Sequence, residues 1–131
     1  MKNLVLIVDD HGVIRRMLRA AFEAEHLEVT DAADGAEGVQ RAQDLKPSLI
    51  ILDLSMPVMN GLEAARALKV IMPHVPLLMF TNNPGGVLQT DARSAGISAV
   101  IAKADSDSVQ QLLTHAKAFL GLDGTGVKCV S

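Results

Sequence analysis

Tyrosine and tryptophan are absent and phenylalanine occurs only three times, so any core must be packed with aliphatic side chains, methionine and alanine. Cysteine occurs once, as Cys129. That excludes an internal disulfide and suits a reducing, cytoplasmic compartment. Its neighbours fit no metal-ligand spacing, and Cys129 is expected to be inert. Extended basic runs are missing and the formal net charge is -3, which argues against a nucleic-acid surface. No apolar run is long enough for a signal sequence or a membrane span; Leu4 to Val8 is cut short by two aspartates. What is present is a chain of 131 residues, 49% hydrophobic, enough for one domain with a sizeable core.

Continuous aliphatic runs at Leu4 to Val8, Ser48 to Leu52, Val75 to Phe80 and Ser98 to Ala102 read as strands buried on both faces. A weaker run covers Glu28 to Ala32. Helical patterns fall between them. Ile14, Met17, Leu18, Ala21 and Phe22 form one apolar stripe. Asp34 with Glu37 resembles a capping box opening a helix that stops at Leu45, before Pro47. Gly61 to Ile71 precedes Pro73, and Val87 to Ala95 is followed by Gly96 as a left-handed cap. Val109, Leu112, Leu113, Ala116 and Phe119 make a last stripe, capped by Asp105 or Ser106. Strand and helix thus alternate five times. This predicts a (βα)5 α/β fold: a five-stranded, doubly wound parallel sheet with helices on both faces, a flavodoxin-like sandwich. Residues 1–120 are expected to form the domain and 121–131 a flexible C-terminal tail or the stub of a linker.

Ligands of such a sheet bind at the carboxyl ends of its strands. The first strand ends in Asp9 and Asp10, the third in Asp53, the fourth in Thr81 and the fifth in Lys103. Three carboxylates in one cleft repel, and either protonation or a hard divalent cation such as Mg²⁺ relieves them. A phosphoryl group placed on Asp53 could be held by Mg²⁺, the Lys103 ammonium and the Thr81 hydroxyl, one to each equatorial oxygen. Asp53 is the central carboxylate and the natural nucleophile, giving an acyl phosphate.

The segments Ile7-Val8-Asp9-Asp10-His11 and Leu49-Ile50-Ile51-Leu52-Asp53-Leu54-Ser55-Met56-Pro57-Val58-Met59-Asn60-Gly61, with Thr81 and Lys103, resemble the receiver domains of two-component response regulators. The resemblance runs from about Leu4 to Leu120. It implies a phosphoacceptor switch: Asp53 as phosphoacceptor, Asp10 and Asp53 as direct Mg²⁺ ligands, Asp9 acting through water, and the Ser55 main-chain carbonyl as a further ligand. Thr81 and Lys103 would sense the phosphoryl group. The implied partners are a sensor histidine kinase or a histidine phosphotransfer protein, docking on the first helix with Arg15, Arg16 and Arg19, and a downstream protein target. Neither nucleic acid nor membrane is an expected partner, and a homodimer is compatible. Self-phosphorylation and autodephosphorylation are the only chemistry expected. His11 is expected to be a surface residue beside the cleft. His26, His74 and His115 are placed on the surface, and the methionines in the core.

Three positions depart from the family's pattern. Val100 stands where an aromatic usually precedes the lysine by three residues. Ala104 replaces a proline whose peptide bond is often cis; a cis bond before alanine would cost about 3 kcal/mol, so a trans bond is expected, with Lys103 aimed differently or held more loosely. Asn82 replaces a small residue, and with Asn83 would narrow access to the phosphoryl group. Switching is then expected to run through Asn82 to Val87 instead. An alternative function is a phosphorylation-independent interaction module. A hydrolase using an aspartyl-phosphate intermediate ranks lower, since Ser55 stands where a second aspartate is usual. A flavin or nucleotide carrier would need a phosphate-binding loop where Asp9 and Asp10 sit.

Overall fold

The computed structural model describes residues 3–86 and 89–122. Its elements are β1 (Leu4–Val8), α1 (Gly12–Glu23), β2 (Glu28–Ala32), α2 (Gly35–Leu45), β3 (Leu49–Leu52), α3 (Gly61–Ile71), β4 (Leu77–Thr81), α4 (Gln89–Ser94), β5 (Ile97–Ala102) and α5 (Ser108–Phe119), with a 3-10 turn at Pro84–Gly86. The sheet is parallel throughout, in the order β2-β1-β3-β4-β5. The chain therefore reverses its direction of winding between β1 and β3, which opens a crevice at their carboxyl ends.

Each face of the sheet carries its own core. Alternation along the strands sends Leu6, Val8, Ile50, Leu52, Leu77 and Met79 toward α2, α3 and α4, where Ala42, Ala64, Leu68 and Ala92 receive them. Val5, Ile7, Leu49, Ile51, Leu78, Phe80 and Ile101 pack instead on Leu18 and Phe22 of α1 and Leu112, Leu113 and Ala116 of α5. Burying aliphatic groups this size contributes about 1.5–3 kcal/mol each.

Several boundaries differ from the sequence expectation. β4 starts at Leu77 because Pro76 has no N–H to give the ladder; its carbonyl still accepts from Ile50 N. Asp34 does cap α2 by accepting from Glu37 N, yet the Glu37 carboxylate reaches Ala33 N, one residue short of a reciprocal box. The full capping box is at Asn60 and Glu63, where each side chain accepts from the other's backbone N–H at 2.9 and 3.0 Å. The N-cap of α5 is Asp107, not the expected Asp105 or Ser106, and its side chain makes no capping hydrogen bond. Met17 is 40% exposed, because the buried stripe of α1 narrows to Leu18 and Phe22. The expected start of the fourth helix at Val87, the tail from 123 onward and Cys129 lie outside the described residues. Gly96 does adopt the left-handed cap, at φ +86°.

Pro57-Val58-Met59 forms a γ-turn: Met59 N donates to Pro57 O at 2.7 Å across a Val58 held at φ +69°. A β-branched residue is strained there, and Val58 is 82% exposed, so packing gives nothing back. Val58→Gly is expected to stabilise the protein by roughly 0.5–1 kcal/mol, the relief of left-handed strain less the extra entropy glycine loses on folding. A higher urea midpoint with an unchanged slope is the readout.

Candidate functional site

The strand registers build the site. Val8 pairs with Leu52, so the residues that follow, Asp9 and Asp53, end neighbouring strands side by side. Asp53 N donates to Val8 O at 2.9 Å and Asp9 N to Ala32 O at 3.1 Å, which fixes both backbones. Asp9 continues the row of Val5 and Ile7, Asp53 that of Leu49 and Ile51, and Lys103 that of Ala99 and Ile101. All three thus emerge on the α1–α5 side of the sheet.

Their side chains meet. Lys103 Nζ lies 2.7 Å from Asp9 Oδ2 and 3.5 Å from Asp53 Oδ2, with all three side chains at most 5% exposed. Two buried carboxylates share one ammonium, so the pocket is one positive charge short. Asp53 shows the imbalance: its carboxyl is held above the ordinary 3.8, first by burial and then by the Asp9 charge, while Lys103 pulls it down. Every peptide bond among the described residues is trans, including that before Ala104. Lys103, expected to be aimed differently or held more loosely, is in contact with both carboxylates.

Asp10 is exposed and completes the acid set. Asp9, Asp10, His11 and Asp53 each offer a ligand atom, all within 4.8 Å of one another. Hard oxygen donors from three aspartates, with one lysine to offset three negative charges, suit Mg²⁺ and fit poorly with a soft metal. His11 is exposed beside the cleft, as expected, and it also touches the acid pair. Its Nδ1 lies 3.1 Å from both Asp9 Oδ1 and Asp10 Oδ1, and its N–H donates to Asp9 Oδ1 at 2.9 Å. The turn after β1 folds the ring back over the acid pair, which no spacing rule reveals. His26, His74 and His115 are exposed, as expected.

Thr81 is buried at the end of β4, and Lys103 N donates to its carbonyl at 2.8 Å. Its hydroxyl oxygen accepts from Asn83 N at 3.1 Å, and it makes no described contact with the acid–lysine cluster. A hydroxyl has one hydrogen to give besides its acceptor sites, so Thr81 can still donate. Asn82 is exposed. Ser55 is exposed in the loop after β3, and no described hydrogen bond uses its carbonyl. Val100 is half-buried and lines a groove of about 320 Å³ with Pro84, Ala92 and Arg93. Of the α1 arginines, Arg15 donates to Asp9 O at 2.7 Å and pairs with Asp31, and Arg19 pairs with Glu23 and Asp31. Among the described residues, Arg16 alone of the three is exposed and without an ion pair, beside the exposed Val13 and Met17.

Behind Asp53 the fit is tight. A Cβ at Gly61 would overlap the Asp53 carbonyl oxygen and lie 2.9 Å from Leu54 Cα. Gly61→Ala is expected to lower stability by about 2–3 kcal/mol, since the obstruction is backbone and cannot rotate away. A drop of several degrees in the thermal midpoint would show it; an unchanged midpoint would mean that α3 is free to slide off β3.

The model of the family described as response regulator receiver domain matches residues 5–116. The chain is 42% identical over 96 residues to a protein-glutamate methylesterase/protein-glutamine glutaminase of Vibrio vulnificus, covering 70% of this chain and 25% of that protein. It therefore spans about a quarter of that relative's length. Among solved structures, the chemotaxis response regulator CheY4 of Vibrio cholerae superposes with a TM-score of 0.80 at 29% identity, covering 91% of this chain and 99% of that one. The response regulator TrrA of Thermotoga maritima, in complex with Mg²⁺ and BeF, gives a TM-score of 0.80 at 25% identity over the same shares. No helix among the described residues is long and apolar enough to cross a membrane.

Proposed function

Because this chain belongs to the response regulator receiver family, we propose that it is a phosphoacceptor switch of two-component signalling, phosphorylated on Asp53 with the help of Mg²⁺. The observation that carries this reading is the meeting of Asp9, Asp53 and Lys103, buried at the ends of three strands, around a pocket with an excess of negative charge. A carboxylate oxygen of Asp53 attacks the phosphorus in line, and the bond from phosphorus to the donor breaks as its electrons leave with the donor group. Lys103 neutralises one phosphoryl oxygen, and the Thr81 hydroxyl donates to another. Asp10, Asp53 and the Ser55 carbonyl are the residues to hold Mg²⁺ directly, with Asp9 acting through water. When bound, the ion neutralises charge on the attacking carboxylate and the transferred group. That a relative of the same fold is solved with Mg²⁺ and BeF supports this ligand class.

The donor in this reading is a sensor histidine kinase or a histidine phosphotransfer protein, with Arg16, Val13 and Met17 of α1 as the docking patch. The recipient of the signal is a downstream protein. The setting is the reducing cytoplasm, and the only chemistry is the chain's own phosphorylation and dephosphorylation. Readout rests on the segment after Thr81, since engaging the hydroxyl perturbs its bond from Asn83 N. Val87, the far end of that segment, lies outside the described residues.

Acetyl phosphate with and without Mg²⁺ tests the proposal. Mg²⁺-dependent labelling that vanishes in Asp53→Asn is expected. Equal labelling of both proteins would reject Asp53, and no labelling of either would leave a phosphorylation-independent interaction module. Under beryllofluoride, amide protection from Thr81 to Ala95 is expected to change.

A further inference from the structure

Lys103 has a third neighbour besides its two carboxylates. Its ammonium stands over the Phe80 ring, 5.8 Å from the centroid. The register explains the encounter. Phe80 pairs with Ile101 across β4 and β5, and Lys103, two residues on, occupies the diagonal site on the same face, within reach of a long side chain. Phe80 is itself 1% exposed, packed in the core between the sheet and α1 and α5, so its ring cannot swing aside.

The three contacts do not survive activation equally. Asp9 and Asp53 are the groups that turn to a metal ion and a phosphoryl group, so both carboxylate contacts of Lys103 weaken as the site fills. The ring takes no part in either event. Ala104, moreover, gives Lys103 no ring-constrained neighbour to aim it. From this geometry we infer that Phe80 is a positioning residue, whose ring face holds the Lys103 ammonium at the pocket independently of the metal and so presents it to the phosphoryl group. The inference rests on the phosphoacceptor reading for its functional half and on the ring–ammonium contact alone for its structural half. A desolvated ammonium over an aromatic face is attracted by the ring quadrupole, and fluorination drains that quadrupole at nearly constant shape.

The test places phenylalanine and its mono-, di- and trifluorinated forms at position 80, each with native Lys103 and with Lys103→Met. Thermal unfolding without Mg²⁺ and the rate of acetyl-phosphate labelling are measured on each. With Lys103 in place, the midpoint should fall stepwise with fluorine count, and the labelling rate should drop roughly fivefold across the series. In the Lys103→Met background the midpoint series should be flat. Equal slopes in the two backgrounds, or no slope in either, would overturn the inference and mark Phe80 as a core filler. A slope that depends on Lys103, with no protein labelled at all, would support the ring–ammonium pair and reject the phosphoacceptor reading.

Discussion

Lys103→Met is expected to destabilise the metal-free protein by about 3 kcal/mol at neutral pH, the usual cost of leaving a buried charge without its partner. Among the described residues, the ammonium is the one cation paired with the two carboxylate oxygens it bridges, at 2.7 and 3.5 Å. Methionine fills similar volume against Phe80 but leaves Asp9 and Asp53 to repel each other in a setting poor in water. Two conditions should recover the loss. Acid protonates Asp53, whose carboxyl is held above its ordinary value, so the gap to wild type narrows as pH falls. Mg²⁺ supplies the missing charge and stabilises in proportion to its binding. Urea unfolding at neutral pH, with and without Mg²⁺, measures all of this. A loss below about 1 kcal/mol would place the lysine among ordinary exposed ion pairs and remove it from the site.

Asp53→Asn has two expected consequences of opposite sign. Labelling is lost completely, because an amide is no nucleophile toward phosphorus. Metal-free stability rises. The balance on Asp53 is unfavourable to its charge, with burial and Asp9 outweighing Lys103, so the folded protein holds that proton more tightly than the unfolded chain does. From the unfolded value of 3.8 up to the raised folded value, the folded state therefore carries more protons. In that window stability falls as pH rises, and the penalty is complete above it. Below 3.8 both states are protonated and the penalty vanishes. The advantage of Asp53→Asn over wild type should accordingly be small in acid, grow through the window and be full at neutrality. Mg²⁺ should erase it, since the ion favours the carboxylate. Unfolding midpoints of the two proteins across pH, with a chelator present, read the difference. A variant less stable than wild type at neutrality would mean that Asp53 is net stabilised by Lys103.

The residues of the pocket were legible because a doubly wound sheet turns a one-dimensional pattern into a place. Each aliphatic run ends in a polar residue, and parallel strands put those ends in one row. Asp9, Asp53 and Lys103 needed no more than that. Phe80 was legible in principle, from the cross-strand register that sets it diagonal to Lys103, but only once β4 and β5 were aligned. The exposure of His11 was legible too, but its contact with Asp9 and Asp10 was not, because the path of a short turn decides it. The strand boundary at Leu77 was a matter of chemistry already in the sequence: Pro76 breaks the ladder, although Val75 and Pro76 continue the apolar run. Met17 shows the opposite failure. Its spacing fits the stripe of α1, but the sheet is covered by Leu18 and Phe22, and the helix edge stays in water. Arg15 and Arg19 likewise read as a basic docking face until β2 supplied Asp31 to hold them.

Crystals grown with Mg²⁺ and beryllofluoride give the most direct measurement. The expected density shows an ion held by Asp10, Asp53 and the Ser55 carbonyl, beryllium bonded to an Asp53 oxygen, and the Lys103 ammonium moved from Asp9 onto a fluoride while still over Phe80. Density in which Asp53 carries nothing and Lys103 remains on Asp9, at concentrations that saturate a known receiver, would contradict it.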